Sequence, residues 1–139
     1  MDRIAWDDTL DTGHAGMDAD HRELADLFDR LREAVESGEG QPACARILDK
    51  VITRAKAHFE YEQDLMIAQR YPKTQQHAAE HAMLMRQALD YREHFDVDSA
   101  ASRLALMHFA DIWLAFHILF SDKELAAFIL RIGASPGGR

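Results

Sequence analysis

The chain has 139 residues and a single cysteine, Cys44, enough for one hydrophobic core but not for a disulfide framework or a Cys-x-x-Cys metal or redox motif. A formal net charge of −8 argues against nucleic acid or an anionic membrane as the main partner. The opening "MDRIAWDDTLDTG" is charged and has no apolar leader core, and no apolar run is read as long enough to span a membrane, so a cytoplasmic location is expected.

The pattern is helical throughout, with no strand-like alternation of useful length. Residues 1–16 form an arm ending in "DTGHAG", whose glycines read as a turn. A first helix is expected from about Asp18 to Ser37, stopped by "SGEGQP". A second runs from about Pro42, well placed near a helix start, to about Gln69. The third begins after "RYPK" and reaches about Phe95, and the fourth runs from about Ser99 to Phe120. "SDKE" then resembles a capping box with Ser121 as N-cap and Glu124 three residues later, which implies a break and a short restart over 122–132. Residues 133–139, "GASPGGR", read as a flexible tail. The expectation is a single all-α domain over residues 1–139, an antiparallel up-down four-helix bundle with an N-terminal arm and a short C-terminal helix.

Steps of three and four give each helix a seam. The first holds His21, Leu24, Phe28, Leu31 and Val35; the second Leu48, Val51, Ala55, His58, Glu62 and Leu65. The third holds His77, His81, Leu84, Ala88 and Tyr91; the fourth Leu106, Ala110, Trp113, His117 and Phe120. Every exception to the apolar rule is His or Glu. In an up-down bundle the starts of the odd helices and the ends of the even ones share one end, so all these polar residues arrive together. A buried unpaired carboxylate costs several kcal/mol or neutralises itself, so a cation between the side chains is the economical explanation. His14, His94 and His108 lie off the seams and read as surface or structural, and Met66, Met83, Met85 and Met107 as core filler.

Two other metal motifs fit less well. "HAAEH" at 77–81 matches the His-x-x-Glu-His pattern of inverzincins, with Glu80 as catalytic base, but leaves His21, His58 and His117 unexplained. Ferritin-like di-iron sites need Glu-x-x-His on two helices, which is absent here.

Several motifs together resemble the hemerythrin family, specifically the single-domain bacteriohemerythrins. They are Trp6 and Gly13 in the arm, "MDADH", "HFEYE", "YPKTQQHAAEH" and "WLAFHILFSD", with spacings His-x3-Glu, His-x3-His and His-x4-Asp, over nearly the whole chain. The resemblance implies a non-heme centre of two irons bridged by an oxo or hydroxo group. His21, His58, His77, His81 and His117 would be terminal ligands, with Glu62 and Asp122 bridging. It implies reversible O2 binding at an open position, for carriage, storage or sensing, with small anions such as azide as further ligands. An enzyme handling peroxide or nitric oxide, or an iron store, is the alternative. Asp122 follows His117 by five residues, about 140° away on an ideal helix, so the helix must be distorted there.

Leu24, Phe28, Phe59, Trp113, Ile118 and Phe120 are expected to line the O2 pocket, a dry wall without a positioned acid or base. Two residues depart from the family's common pattern. Gln63 stands where a second Glu is frequent, and Phe120 stands where Leu is frequent and would narrow the pocket.

Overall fold

The computed structural model describes residues 10–134; Trp6 and residues 135–139 lie outside the described part. Helix α1 spans Ala15–Glu36, α2 Gln41–Ala68, α3 Thr74–His94 and α4 Ala100–Ile112. A π-helical segment, Trp113–Asp122, joins α4 to α5, Lys123–Ala134. Helix α1 packs on α2, α2 on α3, and α1 on α4 and the π segment, an up-down helical bundle.

The first helix starts three residues earlier than its sequence suggested. His14 is the N-cap, its Nδ1 accepting the Met17 N–H at 3.2 Å. Asp18 turns back to accept from the Thr12 and Gly13 backbone N–H groups and from the Thr12 hydroxyl. A carboxylate in the first turn suits the positive end of the helix dipole. Gly13 takes φ +88°, the left-handed region where a side chain is strained, and the arm turns there. At the far end of the bundle the Gln41 amide donates to the Phe95 carbonyl at 2.5 Å and accepts from the Val97 N–H at 2.7 Å, closing the loop after α3. Ser99 caps α4, its Oγ accepting the Ser102 N–H at 3.1 Å.

The fourth helix differs most from expectation. It does not break at Ser121 but runs on through the π segment into α5. Ser121 caps nothing; its hydroxyl donates to Glu80 Oε2 at 2.7 Å. Glu124 pairs with Lys73 and accepts from the Tyr71 hydroxyl instead of completing a capping box. In a π-helix the hydrogen bond closes from i to i+5, so residues five apart share a face. His117 and Asp122 therefore both point inward, at 4% and 0% exposure. The same widened turn moves Phe120 off the seam. It is 61% exposed and stacks on Phe116 outside the core, so it does not line the interior. This continuous helix, Ala100–Ile132, is also long and apolar enough to cross a membrane by length and composition, contrary to the sequence expectation. Its apolarity has a local cause: it supplies Leu106, Ala110, Trp113 and Ile118 to the core and also buries Asp122.

The rest of each seam is buried as its spacing requires, apart from half-buried Leu65 and Tyr91. One large apolar cluster fills the bundle from Leu31 and Leu48 to Phe59 and Ile118. A smaller one, Met17, Met66, Tyr71, Leu125 and Ala126, closes the opposite end. Arg32, buried against α4, reaches Asp111 at 3.1 Å. Met66 and Met107 are core, whereas Met83 is exposed.

The two neighbouring side chains of the π segment should behave oppositely. Phe120→Leu is expected to change stability by less than about 0.5 kcal/mol, as exposed substitutions do. Ile118→Ala, at 2% exposure, should cost about 2–4 kcal/mol. Urea denaturation of both variants checks this; a large loss for Phe120→Leu would place that ring inside.

Candidate metal centre

Between the two apolar clusters lies a polar layer of seven side chains, none more than 5% exposed. α1 gives His21; α2 gives His58 and Glu62 one turn apart; α3 gives His77 and His81 one turn apart; the π segment gives His117 and Asp122.

Glu62 is at its centre. Its Oε1 lies 3.0 Å from Nε2 of both His77 and His81. Its Oε2 lies 2.7 Å from His58 Nε2 and 3.5 Å from His21 Nε2. Asp122 repeats the division: Oδ1 is 3.0 Å from His77 Nε2 and 3.1 Å from His117 Nε2, while Oδ2 is 2.8 Å from His21 Nε2. The imidazoles group the same way. His77, His81 and His117 have ring centroids 4.5–5.2 Å apart, and His21 sits 4.7 Å from His58. Two donor sets result, each within 4.8 Å: Glu62, His77, His81, His117 and Asp122, and His21, His58, Glu62 and Asp122.

Most of these short contacts do not have hydrogen-bond geometry. His58 Nε2, Glu62 Oε2, His81 Nε2, His117 Nε2 and both Asp122 oxygens are buried without a hydrogen-bond partner. Each such orphan costs about 1–3 kcal/mol. A cation in each donor set would satisfy all of them, so the residues present fit a pair of metal ions, one in each set.

Two carboxylates outside the layer orient the rings. Asp20 Oδ2 faces His58 Nδ1 at 2.9 Å, and Glu80 Oε1 faces His117 Nδ1 at 2.6 Å. An N–H donated outward from Nδ1 leaves Nε2 free to point inward as a metal donor. Sequence reasoning missed both roles. Asp20 stands next to His21 but serves the neighbouring helix, and Glu80, considered only as a base for an inverzincin, reaches across to the π segment. The available signal was a carboxylate adjacent to a seam His, able to reach a facing ring.

The fields in the layer are strong and opposed. Burial alone would depress His21, His77 and His117, but the Asp122 and Glu62 carboxylates, joined at His117 by Glu80, override it and lift them to about 9, 9 and 10. His58 rises for the same reason, chiefly through Glu62 against burial. Burial wins only at His81, which is lowered. Against a burial effect that favours the neutral acid, the surrounding imidazoles hold Glu62 and Asp122 well below the ordinary carboxylate range.

Of the six side chains expected around the ligand pocket, the structure brings five into the buried cluster beside this layer: Leu24, Phe28, Phe59, Trp113 and Ile118. Phe59 stacks on His81 at 4.0 Å, and Trp113 meets Phe28 and Phe59 edge-on at 5.1 and 5.7 Å. Phe120 is the exception, for the helical reason above. The other side of the layer is also apolar: Met17 precedes His21 by one turn, Met66 follows Glu62 by one turn, and Leu125 follows Asp122 by three residues. His94 and His108 are exposed, away from the centre.

A family model described as the hemerythrin HHE cation binding domain matches residues 12–129. The chain is 27% identical over 126 residues to a bacteriohemerythrin of Stenotrophomonas maltophilia, covering 91% of this chain and 81% of that protein. It is 25% identical over 122 residues to a bacteriohemerythrin of Pseudomonas aeruginosa, covering 88% of this chain and 78% of that one.

The metal-free layer should titrate in a defined sense. His21, His77 and His117 gain affinity for protons on folding, so their stabilisation is complete below about pH 6.5 and is lost as pH rises through 9 to 10. The two carboxylates act oppositely, stabilising above about pH 4 and failing below it. The melting temperature of metal-free protein should therefore fall from pH 7 to pH 10, while metal uptake releases protons and tightens over the same range. Calorimetry at three pH values checks it; a flat profile would mean the imidazoles are not protonated.

Proposed function

Because this chain belongs to the hemerythrin family, we propose that it binds O2 reversibly at an oxo- or hydroxo-bridged pair of irons, for carriage, storage or sensing of O2. In this reading His77, His81 and His117 would hold one iron and His21 and His58 the other, with Glu62 and Asp122, which belong to both donor sets, serving both. The observation that carries it is the unequal division of donors. One ion would be held by three imidazoles and an oxygen from each of the two carboxylates. The other ion would be held by one imidazole fewer, which would leave a position open, the mark of a reactive rather than a structural site. When bound, a ferrous pair supplies that open position and two electrons, reversibly, to O2; small anions such as azide suit the same position.

The residues around the layer favour binding over turnover. Leu24, Phe28, Phe59, Trp113 and Ile118 exclude water from one side and Met17, Met66 and Leu125 from the other. Among the described residues, the buried charged or imidazole groups besides the seven reduce to Arg32, committed to Asp111. Tyr71 is buried 6.4 Å from the His77 ring, but its hydroxyl donates outward to Glu124. Burial first, and then Glu124, push it up to about 12, so it stays protonated at neutral pH. Among the described residues no general acid outside the layer is poised to promote O–O cleavage, which supports a carrier rather than an enzyme.

Anaerobic loading with ferrous iron followed by O2 is the test. The expected result is a visible absorption band that forms with O2, disappears on deoxygenation and returns over repeated cycles. Sustained consumption of peroxide or nitric oxide would favour the enzymatic alternative, and loss of iron under mild reduction would favour storage.

The ligand roles are tested by metal content. Glu62→Ala and Asp122→Ala each remove donors from both halves, and are expected to leave fewer than two metals per chain. His21→Ala removes one donor from one half and should keep two. Equal content in all three variants would refute the bridging roles.

A further inference from the structure

We propose that Glu80, which contributes no donor to either metal set, is the positioning residue for the His117 side of the centre. Its carboxylate holds His117 with the proton on Nδ1 and pins the widened turn that brings Asp122 beside it. The inference rests on the reading of His117 and Asp122 as metal ligands.

Glu80 uses its two oxygens on two different groups. Oε1 faces His117 Nδ1 at 2.6 Å, and Oε2 accepts from the Ser121 hydroxyl at 2.7 Å. The two partners are four residues apart on the π segment, so one side chain of α3 spans nearly a turn of it. A ten-residue π-helix is rare and has no intrinsic preference over the α form. Contacts from outside the helix must hold it, and Ser121 adjoins Asp122, the residue whose direction depends on that register.

The support is selective. His58 has Asp20 at its outer nitrogen and His117 has Glu80, but His81 Nδ1 is buried without a partner. His81 is held instead by the stacked ring of Phe59 at 4.0 Å. Substituting Glu80 should therefore act through His117 and not through the histidines of its own helix. Glu80 also borders the surface groove lined by Tyr71, Lys73, Gln76 and Phe120, so its outer edge meets water and its ionised form is accessible. An anionic acceptor on Nδ1–H makes Nε2 a stronger donor to a cation than a neutral acceptor does. Glutamine at this position keeps the size and one acceptor oxygen but loses the charge.

The experiment compares full-length wild type with Glu80→Gln, Ser121→Ala and Asp49→Asn. Asp49 pairs with Arg92 between α2 and α3 and touches none of the seven side chains, so its variant loosens α3 without reaching His117. Each protein is loaded with zinc for proton NMR and for release to a chelator, and with iron for a redox titration. In Glu80→Gln, zinc release should quicken by about 10–100-fold. The downfield imidazole N–H resonance of His117 should shift or vanish, and the midpoint potential should rise. Ser121→Ala should move the same readouts in the same direction by less, and Asp49→Asn should match wild type. An unchanged resonance and release rate in Glu80→Gln, with wild type binding two metals, overturns this proposal alone. Equal acceleration in Asp49→Asn also overturns it, because general packing of α3 would then be the cause. Wild type that binds no metal pair overturns both this and the reading beneath it.

Discussion

A carboxylate with no exposed surface, Glu62, stands between four imidazoles in the middle of a helical bundle. Charge so far from water is tolerated only if opposite charge meets it. In the metal-free protein the carboxylates raise the proton affinity of His21, His58, His77 and His117 in that sense, and the donor sets are arranged for cations to meet the need otherwise. The chain's other choices follow from this requirement. Four separate segments must deliver a side chain to one level of the bundle, and each must do so without exposing its own backbone.

The layer separates two dry regions of unequal size. Toward the middle of the bundle are Phe28, Phe59 and Trp113, with Trp113 edge-on to both Phe rings; toward the end are Met17, Met66 and Leu125. Low polarity on both sides strengthens every electrostatic interaction within it. It also bears on why imidazoles of the same chemical type differ: at His77 the Asp122 and Glu62 carboxylates outweigh burial and raise it, whereas at His81 burial, joined by the neighbouring His117 and His77, outweighs Glu62 and lowers it. The outer carboxylates Asp20 and Glu80 lie partly in water and connect this interior to the surface through single rings.

The π segment shows how function departs from helical economy. An α-helix through Trp113–Asp122 would carry Phe120 inward and turn Asp122 away. The observed helix reverses both, leaving an exposed aromatic pair, Phe116 and Phe120, while burying Asp122. Exposing two phenyl rings is unfavourable, and the gain is a second carboxylate that spans both donor sets.

The sequence alone determined four amphipathic helices, because each seam repeats at three and four residues with few exceptions. It also determined that the exceptions converge at one end, because up-down order requires it, and its seams named six polar members of the layer, the family resemblance adding Asp122. It further showed that His117 and Asp122 could not share a regular α-helix. How that conflict is resolved was decided by tertiary structure. Ser121 looked like a helix cap because a local motif cannot reveal that its hydroxyl is taken by Glu80 from another helix. Phe120 looked like a seam residue because the three-four rule assumes a constant turn, and the widened turn exists only where Asp122 is drawn into the interior. The division of five imidazoles into three and two, and the pairing of Asp20 with His58, were likewise decided in space. Periodicity states which face a side chain occupies, whereas its partner depends on the angle at which two helices meet.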